Sequence, residues 1–235
     1  MVKRFIICLL AVLLGVMSLG AKQQIVSNGI PLKPFKTIML IGNKHTSVVF
    51  ANDEQYKMDV IGCPDNAVQF NESDNILFVS TLGMDSLQSV QVRIGAPVFQ
   101  DIECSFMETL RSIDTLSTKN LTLTAVSSNV DLALSADTFS LNFIGGNSAI
   151  LTGICKEAKI NSQGFAEGNR YTFDASKLTV QNMHLNCGVL SDMQINISDS
   201  LWLTDGIDCK IEILGLPMIL QNNLYKSEIH LQSNN

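Results

Sequence analysis

The chain has 235 residues, 46% of them hydrophobic and only 16% charged, with 22 acidic against 16 basic side chains and a net charge of −6. That acid excess removes the basic face that nucleic acid requires, and it disfavours electrostatic docking to anionic lipid. The chain is long enough to bury a sizeable core, in one large domain or two small ones.

Residues 1–20 read as a secretory leader. Lys3 and Arg4 precede an apolar stretch from Phe5 to Val16, and Ser18 and Gly20 set small residues near the expected cut after Gly20. The apolar run is too short and too early for a comfortable transmembrane span. The only early cysteine, Cys8, lies inside that run rather than after the cut, so a lipid anchor is not expected. The expectation is an exported protein of the periplasm, cell surface or medium, with no membrane span in the mature chain. Lys3 and Arg4 are two of the 16 basic residues, so cleavage moves the charge from −6 to −8. Residues 21–34 form an N-terminal linker, and residues 35–220 form a single all-β domain.

Residues 35–94 predict an antiparallel β-meander. "ANDEQ" at 51–55 separates "SVVF" from "YKMDV", and "NESDN" at 71–75 separates "VQF" from "ILFV". Both interruptions have hairpin-turn chemistry.

Residues 95–220 predict a coil of stacked strands. Apolar residues alternate with polar ones in short runs, such as Val130, Leu132 and Leu134, then Phe139, Leu141 and Phe143. The runs also repeat. "NLTLT" at 120, "TFSLN" at 138, "EAKIN" at 157, "KLTVQ" at 177 and "SLWLT" at 200 are offset by 18, 19, 20 and 23 residues. Between them fall "VDLAL", "AILTG", "YTFDA", "MQINI" and "KIEIL". A period near 20 residues with two strands per turn reads as a solenoid, here a right-handed parallel β-helix rising about 4.8 Å per turn. Leu121 is expected to stack on Phe139, Ala158, Leu178 and Leu201, all inward. The competing fold is an antiparallel β-sandwich. Residues 221–235 are expected to cap the far end.

Four segments occur in a characteristic order: "PFKTIMLIGNKHTSVVF" near the start, "VQVRIGAP" at 90–97, "GGNSAILTG" at 145–153 and "EILGLP" at 212–217. Together they resemble the putative auto-transporter adhesin family with the head GIN domain, over roughly Pro34 to Leu220. The resemblance implies an exported bacterial protein with a β-helix-like, all-β domain, and it carries over no catalytic residue. Family members tend to repeat a Gly-Ser-Gly corner, of which this chain keeps only Gly145-Gly146-Asn147.

Chemistry-bearing residues are sparse. The three histidines, His45, His184 and His230, have no ligand spacing. His184 and Cys187 are three apart, and Asp205 and Asp208 offer two carboxylates, too few for calcium. No nucleotide, hydrolase or cofactor motif is present in the sequence, so no cofactor, metal or catalytic residue is expected. Asn71, Asn120 and Asn196 match a glycosylation triplet, as chance predicts in a chain this rich in Asn, Ser and Thr. Trp202 is the candidate ligand-patch residue, because Leu201 and Leu203 claim the inward parity and leave the indole outside. Cys187 and Cys209, one repeat apart, are a candidate disulfide.

The sequence thus reads as a non-catalytic binding or adhesion module for a glycan or a cell-surface or matrix protein. A polysaccharide-active β-helix enzyme and a structural element assembling through its coil ends are the alternatives.

Overall fold

The computed structural model describes residues 29–62, 68–82, 89–164 and 170–232, and none of these is helical. The leader (1–20), most of the linker, Cys8 and Cys63 lie outside the described residues. The strands are β1 (Ile30–Pro31), β2 (Thr37–Ile41), β3 (Thr46–Asn52), β4 (Lys57–Ile61), β5 (Gln69–Ser73), β6 (Ile76–Ser80), β7 (Val90–Ala96), β8 (Asp101–Ser105), β9 (Thr109–Ser112), β10 (Leu116–Val126), β11 (Asn129–Ile144), β12 (Ser148–Gln163), β13 (Tyr171–Val189), β14 (Ser191–Ile207), β15 (Lys210–Leu214), β16 (Met218–Tyr225) and β17 (Glu228–Gln232). They form one mixed, 17-stranded sheet curled around a continuous apolar core.

The long strands β11 to β14 owe their shape to a parity switch. In β11, Val130, Leu132, Leu134 and Ala136 are buried, and then Phe139, Leu141 and Phe143. Two consecutive outward residues, Asp137 and Thr138, separate the sets. An uninterrupted strand alternates strictly, so the doubled outward pair marks a corner that divides the strand into two legs facing one core. Lys156-Glu157 do the same in β12.

Every pairing among β10 to β17 is parallel. One inward row runs Val130, Ala149, Phe173, Met193, Ile211. The antiparallel sandwich requires these neighbours to run oppositely, and they do not. A second inward row runs Leu121, Phe139, Ala158, Met183, Leu201, Ile219. Leu178, expected in that row, instead pairs with Gly153 on the other leg. The step from Ala158 to Met183 is seven residues longer than the 18 from Leu121 to Phe139. Alternation in β13 breaks twice, at Ser176-Lys177 and at Gln181-Asn182, so Leu178 and Val180 are inward in a short segment before the corner and the second leg begins at Met183.

Residues 35–94 depart from a simple antiparallel meander. β2 lies between β6 and β8, parallel to both, and β3 lies between β7 and β9, also parallel to both. The chain therefore lays down β2 and β3, steps outward to β6 and β7, and returns to the opposite side for β8 and β9. The expected hairpin at 51–55 is absent: β3 and β4 do not pair with each other, and β7 lies between them. The hairpin at 71–75 is present. β5 pairs antiparallel with β6, and Asp74 and Asn75 have φ of 50° and 65°, the two left-handed residues of a type I′ turn.

The two ends differ. At the N-terminal end the antiparallel strands β1 and β5 are the outermost, and Phe35 packs edge-on against Tyr56 at 4.9 Å. At the C-terminal end β16 and β17 pair in parallel with β14 and β15. Ile219, Leu224 and Ile229 are only partly buried against the core there, and Met218, Leu220 and Leu231 are exposed.

Candidate functional site

The outer face of the second legs carries the main candidate site. Strict register places Lys159, His184, Trp202 and Leu220 in one outward row across β12, β13, β14 and β16. Leu201 and Leu203 are buried, and Trp202 is half-buried on the opposite side of β14, as parity requires. The His184 and Trp202 rings stack at 4.4 Å with an interplanar angle of 6°. Parallel in-register strands hold like positions one strand spacing apart, and planar side chains fill that spacing by stacking. The row continues on the far side of the indole to exposed Leu220.

Polar ladders flank this row. Asn142 Nδ2 donates to Thr124 Oγ1 at 3.3 Å, and Asn161 Nδ2 donates to Asn142 Oδ1 at 3.4 Å. At the corner, Thr138 donates to Asn120 Oδ1 at 2.7 Å, Asn182 donates to Glu157 Oε1 at 2.8 Å, and Ser200 donates to Asn182. The face thus offers an aromatic pair amid amide and hydroxyl groups whose positions are fixed by their own ladder.

The sequence places Trp202 outward correctly and misses its partner. His184 belongs with Trp202, 18 residues away, and not with Cys187. The odd spacing of His184 and Cys187 sends the first outward and the second into the core, where it is fully buried. Asp205 and Asp208 do not share a ligand: Asp205 Oδ1 accepts from Asn223 at 3.2 Å, and Asp208 Oδ1 accepts from Arg170 at 3.1 Å. No cluster of metal-ligating side chains occurs among the described residues. Arg170, which the sequence reading passed over, also donates to Asp192 at 2.8 Å and to the carbonyls of Ser191 and Asp208, tying successive corners together.

Cys187 and Cys209 meet at one corner. They are not stacked by register: Cys187 lies between Asn186 and Gly188, which face Thr204 and Gly206, so Cys209 is four residues past its level. A turn at Asp208, with φ of 54°, brings Cys209 back under Cys187. Both are free thiols. The Cys187 carbonyl accepts from Tyr171 Oη at 2.6 Å and from Ser162 and Ser191, each at 3.2 Å, in a buried polar knot.

Asp101 and Glu103, also unnoticed in the sequence, are two apart on β8. Partial burial pushes the Asp101 carboxyl up against the opposing hydrogen bond from Thr37, and burial followed by the nearby Asp101 charge pushes Glu103 up. A carboxyl raised on folding binds its proton more readily in the native state. Its stabilising contribution is complete below the ordinary carboxylate value of about 4 and is lost as pH rises through the raised native value. Asp101→Asn with Glu103→Gln should therefore gain stability over wild type at pH 7 and not at pH 3.5. Urea midpoints at the two pH values check this, and an equal difference at both would refute it.

Comparison with known proteins places this architecture. The family model described as putative auto-transporter adhesin, head GIN domain, matches residues 34–217. A crystal structure of a putative adhesin from Bacteroides fragilis is 19% identical with a TM-score of 0.72, covering 90% of this chain and 98% of that one. One from Parabacteroides merdae is 16% identical with a TM-score of 0.63, covering 89% and 96%. A putative lipid binding protein from Parabacteroides distasonis is 9% identical with a TM-score of 0.60, covering 87% and 95%. No curated protein matches the sequence.

Proposed function

The chain belongs to the putative auto-transporter adhesin family with the head GIN domain, and from that premise we propose that it is an exported, non-catalytic binding module. On this reading its stacked windings are a right-handed parallel β-helix, and its ligand is a glycan or a cell-surface or matrix protein. The observation that carries the proposal is the His184–Trp202 stack, set outward one row from the Asn142, Asn161 and Asn186 ladder. An aromatic edge with fixed amide donors and acceptors is suited to a sugar ring, whose faces are apolar and whose rim is hydroxylated. Rigid elements also hold the groups in place before ligand arrives, which limits the ordering cost of binding. The reading as an enzyme is weaker: Asp101 and Glu103 are neighbours on β8, in register with the aromatic row but four strands from His184, and among the described residues no basic side chain is bonded to either.

A glycan and matrix-protein array probed with wild type and Trp202→Ala tests the proposal. The variant should lose binding by roughly tenfold or more, as truncation of a central aromatic anchor does. Equal binding by the two proteins removes the aromatic row from the site. Shortened sugar chains in the array eluate would favour catalysis instead.

A further inference from the structure

We propose that Cys187 and Cys209 are an oxidisable pair that closes a disulfide between two successive windings. The geometry is local and specific. A methyl group placed on Gly206 would meet Leu224 Cδ2 at 2.8 Å, Cys187 Cβ at 3.3 Å and Cys209 Sγ at 3.4 Å, so both cysteines pack, with Leu224, against the bare backbone of residue 206. Cys209 Sγ also lies 3.8 Å from the Cys187 carbonyl and 3.5 Å from that of Gly188.

The pair is also chemically asymmetric. The adjacent Cys187 side chain, aided by Ser191 and Ser227, holds the Cys209 thiol below the ordinary thiol range, while Cys209 and burial push Cys187 up. Thiolate is the reactive form towards oxidants. By contrast, burial pushes Cys155 up to about 11, and Cys104 higher still. Cys209 is thus the reactive sulfur among the described cysteines, and Cys187 is its resolving partner. Both are buried at rest. Cys209 immediately precedes β15, close to the open end, where local opening is easiest.

With a peroxide as oxidant, the Cys209 thiolate attacks one peroxide oxygen and the O–O bond breaks. The leaving hydroxide takes a proton to become water, and Cys209 becomes a sulfenic acid. The Cys187 sulfur then attacks the Cys209 sulfur, the S–O bond breaks, and a second water leaves with the Cys187 proton. Two thiols and one hydrogen peroxide give one disulfide and two waters.

The test uses the full chain, reduced and then freed of reductant. After treatment with hydrogen peroxide it is unfolded, alkylated and mapped by mass spectrometry. The expected result is a linked Cys187–Cys209 peptide lighter by two hydrogens, with Cys104 and Cys155 still alkylated. The melting temperature should rise by roughly 5 °C, reversibly with reductant, as for a loop of about twenty residues closed in the unfolded chain. In Cys187→Ser, a sulfenic acid probe should label Cys209. Alkylation of both cysteines after peroxide overturns the proposal, as does a link to any other cysteine. The wild-type map decides even if the variant does not fold.

Discussion

Replacing Gly153 by alanine should destabilise the protein by about 3 kcal/mol or more. Gly153 lies within β12, in register with Leu134 and Leu178, and its φ is +113°. L-residues rarely adopt that value, and glycine does so freely because it has no Cβ. Space forbids the change as well. A Cβ at this position would lie 1.9 Å from the Leu134 carbonyl oxygen and 3.0 Å from its carbon. Those atoms are backbone in the adjacent winding, and they cannot move without breaking the ladder above. A total stability of about 5 to 15 kcal/mol is ordinary for a domain, so this loss is a large share of it. Urea denaturation followed by circular dichroism measures it. A midpoint unchanged from wild type would mean that the backbone turns differently at this point.

Phe143→Ala should cost about 3 to 5 kcal/mol, the usual range for truncating a buried aromatic. Phe143 is fully buried, and register places it between Ala125 and Ser162, both much smaller. Small neighbours cannot spread to fill the space, so the cavity should persist. The ring also meets Tyr171 at 5.8 Å and lies where a Gly146 side chain would be, with Phe143 Cζ 2.4 Å from that Cβ position. Losing it should therefore loosen both the Gly145-Gly146 corner and the Tyr171 hydroxyl that binds the Cys187 carbonyl. Phe143→Leu should cost clearly less, because it restores most of the volume. Equal losses for the two substitutions would argue against a cavity mechanism.

Inward parity was legible because strand geometry enforces it residue by residue. Val130, Leu132, Leu201 and Leu203 are inward in the sequence pattern and buried in the structure. Winding order was less legible, because it depends on chain length between corners, which alternation does not record. "KLTVQ" imitates the second-leg pattern and misleads, whereas "MHLN" at 183–186 matches "LWLT" at 201–204 at an 18-residue step and is the true stack. That step also pairs His184 with Trp202, so a correct offset would have revealed the aromatic pair. The outward step to β6 and β7 left no trace in the pattern, since parallel and antiparallel neighbours both need alternating strands. Arg170 bridges corners through contacts 22 and 38 residues away, a distance at which no local pattern speaks.

The register between neighbouring parallel strands gives the sheet a natural quantum of length. From Met183 to Leu201 and on to Ile219 the chain advances 18 residues from one paired strand to the next. Gaining or losing one such unit would leave every surviving row with a matching neighbour, so the sheet can grow or shrink in whole units. The longer step between Ala158 and Met183 shows where fractional changes are absorbed, since the rows on either side remain aligned. Within a leg, a single added residue would turn the remainder of that leg inside out.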